Sequence, residues 1–149
     1  MVMRKFEIAK GFENAGVVLP TRTTKGSAGY DFRSLETKDI LPGQVAVIHT
    51  GVKAAMNIGE VLLVFIRSSL GVKKGLSLAN SVGVIDADYY GNPDNDGEIM
   101  IALRNNSQTP VHIEKGDRIA QGIFAPYLTT DDDSAKGNRE GGFGSTGNN

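Results

Sequence analysis

The chain has no cysteine. That removes disulfides, thiolate nucleophiles and cysteine-based zinc sites in one step. Histidine is nearly as scarce. Only His49 and His112 occur, each inside an apolar-alternating segment, with no second histidine at metal-ligand spacing. Both read as half-buried strand residues. No Gly-x-Ser-x-Gly elbow is present to support a Ser-His-Asp triad. Net charge is only -1, so no global field draws in nucleic acid, and a nucleotide would need local positive groups. No run approaches the roughly 18 apolar residues of a membrane helix. Residues 1–5 carry charge with no apolar stretch behind them. Neither a signal peptide nor a membrane contact is expected, and the expected location is cytoplasmic.

What is present points to one soluble domain. A length of 149 residues suits a single core. The 19 glycines and five prolines punctuate the body, leaving no stretch longer than about a dozen residues and no window for several helical turns. Short strands at regular turn spacing predict an all-β sandwich or barrel. Residues 3–9 read as an edge strand. In residues 28–34, Tyr30 and Phe32 alternate with Asp31 and Arg33. Val45, Val47 and His49 share one strand face, and residues 51–56 read as a further strand. Residues 61–66 are a continuous apolar run, as in a strand covered on both faces. Residues 70–75 are expected to form a single helical turn. The last strands fall around Val111 and Ile113 and over residues 119–125. After Pro126 the composition shifts to Gly, Ser, Asn and charge, which cannot bury a core.

Two stretches carry chemistry. In residues 83–91 an apolar run passes straight into Asp86-Ala87-Asp88-Tyr89-Tyr90-Gly91. This reads as one arm of a β-hairpin with an acidic tip, with Ile99, Ile101 and Leu103 on the return arm and a turn over residues 92–97. Aspartates at a strand end are commonly solvated turn residues. The tail sets Arg139 and Phe143 among glycines and hydroxyls. Glycines let backbone N–H groups approach an anion, arginine pairs with phosphate, and phenylalanine stacks on a base. Taken alone, the tail reads equally as a flexible linker.

Five segments together resemble the trimeric dUTP pyrophosphatase (dUTPase) family. They are Ala28-Gly29-Tyr30-Asp31, Arg67-Ser68-Ser69, residues 83–91, Gly116-Asp117-Arg118-Ile119-Ala120-Gln121, and Gly141-Gly142-Phe143-Gly144-Ser145-Thr146-Gly147. They stand in the family's order and close to its spacings, and any one alone is weak. The resemblance implies a jelly-roll or distorted β-barrel subunit with one short helix. It divides the chain into a β-domain over residues 1–128 and a mobile C-terminal arm over residues 129–149. It also implies a homotrimer in which each site draws on three chains.

The implied reaction is hydrolysis of dUTP to dUMP and pyrophosphate by water attack on the α-phosphorus. That activity limits uracil in DNA and supplies dUMP for dTMP synthesis. Asp86 is expected to orient the water and meet the sugar 3′-hydroxyl. The Tyr89 ring is expected to lie under the deoxyribose and crowd out a 2′-hydroxyl. Asn80 and the backbone of Val84 and Ile85 are expected to read uracil. Ser68 and Ser69 are expected at the phosphates, Arg67 at the phosphates or a neighbouring subunit, and Gln121 at phosphate or the water. Phe143 is expected to stack on the base, with Arg139, Gly144, Ser145 and Thr146 closing over the γ-phosphate. Mg²⁺ is expected on the phosphates, held by Asp31 through water. Arg118 reads as a structural partner to Asp117 or another carboxylate. Arg139 stands four residues before Phe143, where many members have five. A dCTP deaminase shares the fold, but it needs a catalytic glutamate acting on the base, and no well-placed one is found. A non-catalytic nucleotide sensor would have lost its aspartates, and Asp31 and Asp86 are both present.

Overall fold

The computed structural model describes residues 3–144. Ten strands follow one another: β1 (Lys5–Ile8), β2 (Tyr30–Arg33), β3 (Lys38–Ile40), β4 (Val45–Ala55), β5 (Glu60–Ile66), β6 (Leu76–Leu78), β7 (Gly83–Asp86), β8 (Ile99–Asn105), β9 (Val111–Ile113) and β10 (Arg118–Pro126). They build two four-stranded sheets, ordered β1-β4-β8-β6 and β2-β10-β5-β7, and a two-stranded ribbon β3-β9. All the pairings are antiparallel. Two packed antiparallel sheets of this kind make the expected all-β jelly roll.

Alternation along the strands sets the core. In β8, Ile99, Ile101 and Leu103 are buried, and in β4 Ala46 and Ile48 are buried while Val45 and Val47 face out. Phe32, Leu62 and Ile119 from the second sheet share one core cluster with Ile48, Ile101 and Leu103 from the first. Each such side chain contributes about 1.5–3 kcal/mol by burial. Phe6 of β1 closes one end, with its ring edge-on to Phe32 at 5.5 Å. Gly122 of β10 has no room for a side chain: a Cβ there would lie 2.8 Å from the Phe32 ring and 3.0 Å from Leu62.

Five local expectations change. Residues 83–91 are not one arm of a hairpin. β7 pairs with β5, while β8 pairs with β4 and β6 in the other sheet. The apolar run of β5 lies between β10 and β7; that pairing claims β7, and the chain after Asp86 then crosses between the sheets. Residues 45–56 are not two strands. β4 runs unbroken to Ala55 with an irregularity between His49 and Val52, where Gly51 adopts a φ of 70° that a bulge tolerates. The helical turn falls at Ser69–Lys73 with π geometry, and a second short turn, of 3-10 type, covers Ala87–Tyr89. His112 is exposed rather than half-buried, bonded to Asp39 and Glu114 at 2.6 and 2.9 Å. These two acids raise its pKa. On β5 only Leu62 and Val64 of the inward face are buried, while Val61, Leu63 and Phe65 on the other face are half-buried, so the run is not covered on both sides.

Candidate active site

Each sheet ends on a short edge strand, β6 in the first and β7 in the second. Residues 79–82 carry the chain from one to the other, with Ser81 at a φ of 66° making the turn. Between these edges a cavity of about 310 Å³ opens. Its floor is apolar, from Val64, Leu78, Ile99 and Ile101, and its rim carries Asn80, Asp86, Tyr89 and Arg139. An apolar cleft with a few convergent polar groups is the usual form of a small-molecule site. β7 has a strand neighbour on one side only. Half of its amides and carbonyls therefore point away from the sheet, free to pair with a flat ligand. Gly83 is buried in this wall, where a Cβ would come within 3.0 Å of Val64.

Asp86 ends β7 in extended conformation and makes no side-chain cap to the turn that follows. Its carboxylate is spent elsewhere: Arg139 Nη2 donates to Asp86 Oδ2 at 2.5 Å, and Arg139 Nε donates to Asp88 Oδ1 at 2.8 Å. The guanidinium also lies 5.6 Å from the Tyr89 ring centre. With three partners, the Arg139 side chain is only 9% exposed, against 52% for each aspartate. The tail is therefore seated on the cavity in this chain. Phe143 and Gly144 line the cavity beside it.

Tyr89 is 7% exposed. Its hydroxyl donates to the Glu98 carbonyl at 2.6 Å and accepts the Asn95 side-chain amide at 2.8 Å. Burial pushes the phenol above its ordinary pKa, against the pull of the Asn95 bond, so the ring stays neutral. Glu98 is itself 2% exposed, and its carboxylate takes the His49 ring Nδ1 at 2.7 Å and the Gly51 amide at 3.3 Å.

The remaining predicted residues gather elsewhere. Asp31 of β2, Gln121 of β10 and Phe65 of β5 stand side by side across the second sheet. Asp31 faces two cations, Arg67 at 3.2 Å and Arg118 at 3.6 Å, and accepts the Thr23 hydroxyl at 3.3 Å. Arg118 thus has the carboxylate partner expected of it, though the partner is Asp31. Gln121 packs against Gly29, where a Cβ would collide with its side-chain oxygen at 2.4 Å. Ser68 is exposed at the start of the π turn and Ser69 lies within it. None of Asp31, Arg67, Ser68, Ser69 or Gln121 lines the cavity between β6 and β7. Ser145 and Thr146 lie outside the described residues.

Asn92, Asn95 and Glu98 were not legible as site residues. Asn92 and Asn95 stand in a stretch dense in turn formers, and their spacing of three, suited to mutual side-chain bonding, was the one signal that could have found them. Glu98 gave no signal, because a lone acid at a strand start reads as solvated.

An antiparallel double sheet with a carboxylate, a buried phenol and an arginine-bearing glycine-rich arm around a cleft at one sheet edge defines a jelly-roll protein with a small-molecule cleft. The model of the dUTPase family matches residues 15–147, and the chain belongs to that family. The deoxyuridine 5'-triphosphate nucleotidohydrolase of Lactococcus lactis subsp. lactis (strain IL1403) is 51% identical over 149 residues, 99% of each chain. The dUTPase from Streptococcus mutans superposes with a TM-score of 0.79 at 46% identity, over 85% of this chain and 98% of that one. A mutant dUTPase from phage phi11 of S. aureus, described as coordinating a structural Mg(II) ion, shares the fold at 23% identity. Its TM-score is 0.73, over 91% of this chain and 98% of that one.

Proposed function

We propose that the chain hydrolyses dUTP to dUMP and pyrophosphate. The observation that carries this reading is the edge strand β7, whose outward backbone, terminal Asp86 and neighbouring Tyr89 all meet one cavity. Uracil would pair with the outward groups of Val84 and Ile85, with Asn80 at its rim. A cytosine presents a donor where the backbone also donates, and a 5-methyl group collides with a close backbone. The deoxyribose would rest on the Tyr89 ring.

In the reaction a water oxygen bonds to the α-phosphorus as the bond to the bridging oxygen of the β-phosphate breaks. Asp86 holds that water and takes its proton, a role within reach of an ordinary carboxylate. Pyrophosphate leaves with the bridging oxygen. Phosphoryl transfer of this kind depends mostly on positioning and charge neutralisation. Arg139, now on Asp86 and Asp88, has a stronger partner in a triphosphate, and its move there frees Asp86 for water. Phe143 stacks on the base.

Among the described residues no three acidic or histidine groups come together to hold a metal, and the Asp31 carboxylate is already met by two guanidinium groups. Such a donor set fits a hydrated Mg²⁺ carried mainly by phosphate oxygens, with Asp31 reaching it through water. When bound, that ion supplies neutralisation of the phosphate charge. Arg67, Ser68, Ser69 and Gln121 would contact the phosphate chain.

We also propose a homotrimer with shared sites. Base-side and phosphate-side residues line separate places within one chain, so a complete site needs a second copy. A third copy's arm would find on this cavity the partners that the chain's own arm finds here, since Arg139, Gly142 and Phe143 are identical in every copy. Residues 1–128 are the β-domain of this assembly and 129–149 its arm, as the end of β10 at Pro126 supports. No helix among the described residues is long and apolar enough to cross a membrane, and a cytoplasmic location is part of this proposal.

The test is pyrophosphate release from dUTP, dCTP, dTTP and UTP, with Mg²⁺ and with chelator. The expected result is turnover of dUTP with Mg²⁺, at least about 100-fold above the other three. Equal turnover of dCTP, or ammonia release from it, would remove the proposal.

A further inference from the structure

We propose that Asn95 is a positioning residue that ties recognition of the deoxy sugar to seating of the arm. The inference rests on the reading of Tyr89 as the sugar platform. The Tyr89 hydroxyl gives its proton to the Glu98 carbonyl and receives the Asn95 amide. Both bonds face the protein, so the phenol discriminates by where its ring lies rather than by bonding a sugar hydroxyl. Ring position is then fixed from behind by the Glu98 carbonyl and Asn95, and Asn95 is the side chain of the two.

Asn95 is itself tightly held. Its Oδ1 accepts the Asn92 amide at 2.8 Å and the Gly97 backbone amide at 3.0 Å, while its Nδ2 donates to the phenol. The bonding leaves one orientation for the carboxamide. Asn92, 5% exposed, donates to the Tyr89 carbonyl at 2.8 Å and accepts the backbone amides of Asp94 and Asn95 at 3.0 and 3.1 Å. The turn is pinned to the first sheet at both ends. Tyr90 donates to Glu7 at 2.7 Å, and Asp96 takes Lys53 at 2.8 Å and the Lys10 amide at 2.8 Å. Residues 92–97 thus form a braced platform.

The arm lands on that platform. Gly142 is buried, and a Cβ on it would lie 2.9 Å from Asn95 Cγ and Oδ1 and 2.9 Å from Asp94 Oδ2. A loose side chain would swing away, but Asn95 is bonded through both ends of its amide. One carboxamide therefore meets the sugar platform at its nitrogen and the arm at its oxygen, and a shift at either contact is felt at the other.

Asn95→Ala is expected to lower kcat/KM for dUTP and the dUTP-over-UTP preference by about tenfold or more each, the usual scale for a small misplacement. Tyr89→Phe keeps the ring and removes the hydroxyl, and it is expected to lose the same preference. Gly142→Ala is expected to cost about tenfold in kcat/KM in the parent and less than about threefold in the Asn95→Ala background, as for directly coupled residues. An unchanged dUTP:UTP ratio in Asn95→Ala of parental circular dichroism, or additive losses in the double variant, would overturn the inference. Should Asn95→Ala fail to fold, an unchanged ratio in Tyr89→Phe would overturn it. A parent that does not prefer dUTP over UTP would instead remove the sugar-platform reading beneath it.

Discussion

Asp86→Asn lowers the turnover of dUTP by about 10²- to 10⁴-fold, the range for loss of a positioned general base, and leaves nucleotide affinity within a few fold. The amide keeps the shape of the carboxylate and can still bond a sugar hydroxyl, but it cannot take a proton. The substitution does not disturb the fold, because the Asp86 side chain is half exposed and caps nothing. Arg139 keeps Asp88 and the Tyr89 face as partners, so the arm retains part of its seat. Single-turnover rates with dUTP, beside equilibrium binding of a non-hydrolysable analogue, separate the two effects. Parental turnover in this variant would mean that another group activates the water.

Removal of residues 138–149 lowers kcat/KM for dUTP by about 100-fold or more, as expected when charge stabilisation and orientation are lost together. The deletion takes away the Arg139 cation and the Phe143 ring. It also leaves Asp86 and Asp88 as two unneutralised carboxylates before a polyanion. The β-domain is untouched, since every strand among the described residues ends by Pro126, so the thermal midpoint and oligomeric state are expected to stay close to the parent's. The check is steady-state kinetics with calorimetry and sedimentation on the same preparation. Parental kcat/KM in the truncated chain would remove the arm from the mechanism.

Much of this was legible before the fold was known. Period-two alternation marked β2, the first half of β4 and β8, since a strand with one buried face must alternate, as Ile99, Ile101 and Leu103 do; β5 and β7 were marked by continuous apolar runs, and the short strands β3 and β6 carried no strand signal. The largest failure was one of partner choice. Val82 to Ile85 and Ile99 to Leu103 look like two arms of a hairpin because they are near in sequence and both apolar. Pairing was decided instead by β5, a distant apolar run with β7 at its outer side. Gly51 looked like a strand break and is a bulge inside β4, since a positive φ serves either purpose. At the site, Asp86, Tyr89 and Phe143 stood out through residue types set at family spacings, and Arg139 as an arginine among glycines despite its shifted spacing, and one cavity gathers them. Asn95 did not stand out, because its part is played through Tyr89 and depends on a turn closing back onto a phenol six residues earlier.

The central claim is that the edge of β7 reads uracil on a deoxy sugar and that Asp86 aims a water at the α-phosphorus. A crystal structure with an α,β-imido analogue of dUTP and Mg²⁺ tests it most directly. The account predicts the base against the outward backbone of Val84 and Ile85, the sugar on Tyr89, and a water between Asp86 and the α-phosphorus. An analogue bound elsewhere, for example among Arg4, Arg22 and Tyr30 on the opposite edge of the second sheet, would contradict it.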